Sequence, residues 1–507
     1  MTAPQSLQTD PQPGMWRPTR PPARGLGTLT ITGLGAATAV ATGAAVATHP
    51  LVAAGILPMV LVGGLVWARP HLAGYLIIGI TPLVAGIDRG TLLPVLRPNE
   101  ALVAFLAIVL LMRGLTRLPA DRLPRITLHP VEWAIVLLAF ASSIVPVLWL
   151  TLRGQSLTAD DVSYALVMWK YLGVYALVRL TVTTQEHVRR CLWLSVSVAV
   201  IVALVAIFQV MDLFNVRALL ATLYVPFGHE AAIELPRASS TLALPAATAD
   251  LLIFNLVIAL GMCFTERRNA LWYGSAAVLF VVGVFAAAEF SSALGLLVVM
   301  ICVAVALRVP SLMASLLPAA GFAIIAMWPV VSHRLQGFES VHGLPTSWLG
   351  RLHNLQTYFW PELWSGPNML LGVRPAARVA VNSQVTGFVW IESGYTWLLW
   401  GGGIPLLLAF GYFVVTTFRL TTAQLRVGPT YTQVAALAAL GAVVVISALM
   451  VFDPHLTYRG SADCFFALLA LTVATRSRGD PAELKTTTHD SAQTGNCTHD
   501  GRERHAG

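Results

Sequence analysis

The segment ESGYTWLLWGGGIPLLLAFGYFVVTTF, Glu392 to Phe418, carries no charge between its opening glutamate and Arg419. An apolar run of that length matches the roughly 30 Å hydrocarbon layer of a bilayer, which takes about 17 to 25 helical residues to cross. It shows no period-2 alternation, and a backbone in lipid must pair its own amides, so the segment is read as a membrane-spanning helix and not a barrel strand. Its first residues, Glu392, Ser393 and Gly394, are polar or small, and they raise the question of what an acid does at the lip of a span.

Working outward, the whole chain has the same character. Of its 507 residues 56% are hydrophobic and only 11% charged, and the mean hydropathy is +0.72, more apolar than a soluble core requires. The expectation is an all-α, polytopic integral membrane protein with about fourteen transmembrane helices. The spans are read at 26–48, 50–68, 71–87, 100–113, 131–152, 162–181, 190–212, 243–264, 270–288, 290–308, 311–331, 393–418, 433–453 and 460–475. Residues 1–25 and 477–507 are read as disordered cytoplasmic tails, because the first is rich in proline and the second is polar and poor in aliphatic residues. The first eleven spans occupy 26–331, a large extracytoplasmic loop 332–392, and the last three spans 393–476.

Arginine accumulates in alternate connections, at Arg69, Arg113 to Arg125, Arg179 to Arg190, Arg267 and Arg268, Arg308, Arg419 and Arg426, and Arg476 and Arg478. By the positive-inside rule these face the cytoplasm, which puts both termini inside. The net charge of +8 is then topology rather than a nucleic-acid footprint, since no basic run is interleaved with aromatics. The five cysteines form no exported disulfide framework, no metal-ligand spacing occurs among the histidines, and neither metal nor cofactor is expected.

Two connections on the outer face, 213–242 and 332–392, are too long to be simple links. Within the second, SWLGRLHNLQTYFW places Trp348, Leu352, Leu355 and Phe359 at spacings of three and four, with His353, Asn354 and Thr357 opposite. That pattern predicts an amphipathic helix lying at the membrane boundary, with Arg351 at the level of a lipid phosphate. Arg237, Arg351, Arg374 and Arg378 all lie on this outer side, against the prevailing charge bias. Arg351 alone fits bulk headgroup binding; the four together fit a specific anionic group held bidentately.

The stretches GRLHNLQTYFWPELWSGPNMLLGVRP, 350–375, and ESGYTWLLWGGGIPLLLAF, 392–410, resemble the signature region of the bacterial O-antigen ligase and O-antigen polymerase family. Gly350-Arg351, the turn Leu370-Leu371-Gly372-Val373 and the closing Gly403-Ile404-Pro405 stand where that pattern has them. RASSTLALPAATAD, which opens with Arg237 just ahead of the eighth span, resembles the family's upstream arginine segment, and FDPHLTYRGSADCFFALLAL also suits it. Three places depart from the pattern: the ligase histidine falls on Glu392 and the asparagine on Ser393, Arg374 replaces a glycine, and Ser291-Ser292 stands for Ser-Arg.

The resemblance implies a multi-pass protein of the bacterial plasma membrane with an extracytoplasmic active site. It would move glycan from a polyprenyl-pyrophosphate carrier to a sugar or lipid acceptor, as a polysaccharide polymerase or ligase without metal or cofactor. Its partners would be that donor, the acceptor, membrane lipids and other polysaccharide-assembly proteins. Inverting transfer needs cations on the leaving pyrophosphate, for which Arg237, Arg351 and Arg374 are the candidates, and a base on the acceptor hydroxyl, for which Glu392 is. Arg378, Ser393 and His353 are accessory candidates, His353 lying on the polar face where a solvated histidine would sit. Glu392 alone would equally suit a helix start facing the dipole. Lys170, inside an expected span, calls for a carboxylate such as Asp250. The competing class is a transporter or flippase of lipid-linked oligosaccharide, which should show related halves and interrupted helices.

Overall fold

The computed structural model describes residues 50–89, 91–92, 96–117, 128–224, 237–336, 346–381 and 387–473. The two tails and the expected first span, 26–48, lie outside them. Helix α1 (Pro50–Ala68) opens the described chain; up to Leu65 it belongs to a unit of its own, and a compact unit begins at Val66.

That compact unit is helical. In chain order it holds α2 (His71–Val84), α3 (Pro98–Arg117), α4 (Pro130–Leu152), α5 (Ala159–Ala165), α6 (Val167–Thr181), α7 (Gln185–Met211) and α8 (Val216–Leu223). There follow α9 (Pro245–Thr265), α10 (Ala270–Ala287), α11 (Phe290–Leu307), α12 (Ser311–Ala326) and α13 (Trp328–Gln336). The loop region carries α14 (Thr346–Asn354), α15 (Trp360–Leu363) and α16 (Asn368–Leu371), and the chain closes with α17 (Gly394–Val427), α18 (Thr430–Leu449) and α19 (Ser461–Leu471). Two three-residue strands, β1 (Arg378–Ala380) and β2 (Phe388–Trp390), pair antiparallel and are the exception to an all-α reading.

Among the described residues, eight helices are long and apolar enough to cross a membrane: α3, α4, α7, α9, α10 with the turn before it, α11, α17 and α18. The pair α12 and α13 makes a ninth if it counts as one span, but it bends by 84°. The chain is thus a helical membrane protein, and several of the fourteen expected spans take another form. Helix α2 has 14 residues, about 21 Å at 1.5 Å per residue, short of the hydrocarbon thickness. The span expected at 162–181 is broken at Leu166 into α5 and α6, and the last is reduced to the 11 residues of α19.

Helix α9 is the most enclosed of the spans and packs against α7, α10, α11 and α18. Its close neighbours have small residues where they meet: a Cβ on Gly283 of α10 would lie 2.6 Å from Leu252, and one on Gly441 of α18 2.9 Å from Val299. Without a hydrophobic drive between helices in lipid, such close approach is what dispersion packing needs.

Helix α17 is broken at Gly403, whose φ of +66° and ψ of −157° only glycine adopts without strain. The freed carbonyl of Trp400 accepts instead from the amides of Val373 at 2.7 Å and Arg374 at 3.3 Å, so the turn after α16 docks onto the break. The triple glycine Gly401-Gly402-Gly403 therefore does two things. Gly402 lies against the Ala141 carbonyl of α4, and Gly403 makes the break that seats the loop.

Candidate functional site

The site grows from the start of α17. Ser393 caps it, its Oγ accepting from the Thr396 amide at 3.3 Å. The amides of Gly394 and Tyr395 donate to the Met450 carbonyl at 2.7 and 3.2 Å, locking this end of α17 onto the turn that leaves α18. Gly394 is what permits the approach: a Cβ there would lie 2.4 Å from Met450 Sδ and 2.9 Å from the Asp453 carbonyl. Glu392, next before the cap, is thereby held beside Asp453.

Between these two acids lies Arg351. Its Nη1 is 2.7 Å from Asp453 Oδ2, and its Nε 3.6 Å from Glu392 Oε1. Asn354, one turn on, donates to Glu392 Oε2 at 3.3 Å. Helix α14 and the π turn that continues it, Leu355–Phe359, are fixed in this position by apolar contacts: Leu355 and Phe359 are buried, Phe359 meets Trp400 edge to face at 5.2 Å, and Trp348 lies against Phe452. Leu352, another residue of the stripe, stays exposed, and Arg351 turns into the bundle to meet the two acids.

A second ion-paired group adjoins the first. Arg237 Nη1 bonds Glu289 Oε1 at 2.8 Å, and Arg334 reaches the same carboxylate at 3.5 Å. Glu289 is the N-cap of α11, and Arg334 also donates to the Ala288 carbonyl at 3.0 Å. The groups share one field: Glu289 acts on Arg351, Glu392 and Asp453, and Arg334 feels both Arg237 and Arg351. The structure thus brings Arg237, Arg351, Glu392 and Ser393 to one place.

Electrostatics there favour protons on the acids. Burial pushes Glu392 above the usual carboxylate range; Arg351 pulls it back, and Asp453 pushes it further up. Asp453 is raised for the same reason, with Arg351 and His455 opposing. Burial works against the charge on Arg351, but Asp453 and Glu392 outweigh it and leave its proton held more firmly. Side-chain exposure is 32% for Glu392, 20% for Arg351 and 12% for Asp453, so of the two acids Glu392 is the more open to a ligand.

Arg374 and Arg378 stand apart from this cluster. Arg374 makes a forked pair with Asp161, at 3.0 and 2.5 Å, and the Ala376 amide donates to the same carboxylate at 3.2 Å. Burial raises Asp161, but bonds from Arg374 and Thr158 outweigh it and lower its pKa below the usual carboxylate value. Arg378 pairs with Asp160 and lies over the rings of Phe388 and Trp390. These two arginines pin the loop to α5. His353 is exposed on the outside of α14.

Sequence reasoning did not single out Asp453, Glu289 or Arg334. The FDPHL turn was legible as part of the resemblance, and a glutamate between two apolar runs at Glu289 was a further signal. Asp250 does not serve Lys170: it pairs with His455 at 2.7 Å, while Lys170, on the first turn of α6, bonds Asp463 at 3.0 Å. No group of three or more His, Cys, Asp or Glu that could hold a metal occurs among the described residues.

Fold and site together define a helical membrane protein with an ion-paired cluster where the loop region meets the starts of α11 and α17 and the turn after α18. Comparison with protein families, with characterised proteins and with solved structures finds no match to this chain.

Proposed function

We propose that this cluster transfers glycan from a polyprenyl-pyrophosphate carrier to a sugar or lipid acceptor at the outer face of a bacterial plasma membrane, as a cell-surface polysaccharide polymerase or ligase. The observation that carries the reading is Arg351 held between Asp453 and Glu392, a fixed cation beside an acid whose affinity for a proton is raised.

The chemistry follows from those positions. The acceptor hydroxyl oxygen attacks the anomeric carbon from the side opposite the carrier, giving inversion. The bond from that carbon to the pyrophosphate oxygen breaks, and its electron pair leaves with the pyrophosphate. Charge grows on the leaving group, so Arg351 and Arg237 stabilise the transition state more than the ground state. The hydroxyl proton passes to Glu392, whose raised pKa brings it nearer to matching the task. Arg374 is left out of the anion site, since Asp161 already occupies its fork.

One observation favours a second reading. A span interrupted at Gly403 is a feature that transporters use to seat ligands, so movement of lipid-linked oligosaccharide is the rival. Purified protein in vesicles, supplied with lipid-linked oligosaccharide and no nucleotide sugar, separates them. New glycosidic bonds support the enzyme; transbilayer movement of unaltered donor supports the transporter.

A further inference from the structure

The anionic side chains of the cluster outnumber its guanidinium groups. Asp250, Glu289, Glu392 and Asp453 stand against Arg237, Arg334 and Arg351, and His455 is the remaining group that can carry positive charge among these described residues. His455 Nδ1 lies 2.7 Å from Asp250 Oδ2, and both side chains are fully buried. Nε2 of His455 and Oδ1 of Asp250 are enclosed and meet no hydrogen-bond partner among the described residues. The His455 amide donates to the Asp453 carbonyl at 2.8 Å, which ties the ring's position to the acid that holds Arg351.

A bound diphosphate would compete with Asp453 for Arg351. An enclosed carboxylate stripped of its cation opposes that exchange, because removing one partner of a buried pair strands the other. We propose that His455, held by Asp250, is a positioning residue that supplies the replacement charge to Asp453 when Arg351 turns to a phosphate. This rests on reading the cluster as an anion site, and it adds that anion binding there takes up a proton.

The surroundings of the ring agree. Burial lowers the proton affinity of His455, but Asp250, Asp453 and Glu289 outweigh it and raise the group above its ordinary value. Tyr458, whose ring lies 4.8 Å away, is pushed far up by burial and stays neutral. Asp463, the acid of the helix that follows, is taken by Lys170. Adding a diphosphate's negative charge raises the demand for that proton further.

The test uses the full chain in detergent with inorganic pyrophosphate as probe, titrated calorimetrically in pairs of buffers of different ionisation enthalpy between pH 6 and 8.5. Pyrophosphate's own titration is common to all proteins compared, so the difference between them is the readout. Wild type should take up about one proton more than His455→Gln, and its affinity should fall up to about tenfold more steeply per pH unit. His455→Gln should bind more weakly, while its melting curve shows a folded protein. Asp250→Asn, the second variant, should move the proton uptake to lower pH, and it carries the test if His455→Gln does not fold. Equal uptake and equal pH slopes in wild type and the variant under test overturn the proposal, as does failure of wild type to bind pyrophosphate. Wild-type proton uptake with no glycan transfer overturns the enzyme reading and leaves this one standing.

Discussion

Arg351 joins two acids that are 61 residues apart in sequence, with Nη1 2.7 Å from Asp453 Oδ2 and Nε 3.6 Å from Glu392 Oε1. A diphosphate must compete with Asp453 for this guanidinium, and once turned to the leaving group Arg351 places a cation where negative charge develops. Replacing Arg351 by Ala should lower the rate of glycan transfer by about 10²-fold or more, and Arg351→Lys, which keeps the charge but not the planar fork, by less. Initial rates across donor concentration, with melting curves for each variant, check this.

Glu392 accepts a proton only when ionised, and its pKa lies above the usual carboxylate value because burial disfavours the charge. Activity should therefore rise with pH through that raised value and be lost below it. Asp453→Asn removes a neighbouring negative charge and should move the acid limb of kcat/KM to lower pH. Arg351→Lys retains the charge and should leave the limb nearly in place. Glu392→Gln should abolish the limb and reduce kcat by about 10² to 10⁴-fold. A full-rate Glu392→Gln protein would remove Glu392 as the base.

Gly394 lets the start of α17 touch the turn that carries Asp453. A methyl group there meets Met450 Sδ at 2.4 Å and the Asp453 carbonyl at 2.9 Å, so Gly394→Ala must part the two segments. The expected cost is about 1 to 3 kcal/mol of stability, as for overpacking elsewhere. Activity should fall further than the folded fraction does, because Glu392 is displaced from Arg351. Thermal unfolding and transfer rate, measured on one preparation, report both.

Arg374 offers the opposite outcome. Its pairing with Asp161 holds the loop onto α5, so Arg374→Gln should lower stability by between about 1 and 3 kcal/mol, the guanidinium being partly exposed. The KM for donor should stay within about twofold, whereas a pyrophosphate ligand would lose far more. Comparing donor titrations of Arg374→Gln and Arg237→Gln decides which arginine meets the phosphates.

Much of this was legible in the residues. The apolar run after Glu392 announced α17, and the Gly350-Arg351 helix, the Leu-Leu-Gly-Val turn and the Gly-Ile-Pro break occupy one neighbourhood. What could not be read was which acid each arginine meets. Arg374 and Asp161 are 213 residues apart, and no periodicity links them. The same holds for His455 and Asp250, 205 apart, each of which looked like an isolated polar residue on its own segment. Span continuity was not legible where hydropathy continues across a break: a window average passes over Leu166, where α5 gives way to α6, and over Met327, where the axis bends by 84°. The 3.6 periodicity of 348–359 gives an apolar stripe without saying what covers it, and of that stripe Leu355 and Phe359 are buried while Leu352 is exposed.

The central claim is that a diphosphate binds where Arg351, Arg237 and Glu392 meet. A structure of the protein with a bound polyprenyl diphosphate tests it most directly. Diphosphate oxygens should lie within hydrogen-bonding distance of the Arg351 guanidinium, with Arg237 turned toward them and Glu392 facing the space left for an acceptor. A diphosphate seated against Arg374 and Arg378, or elsewhere with Arg351 still bound to Asp453, would contradict it.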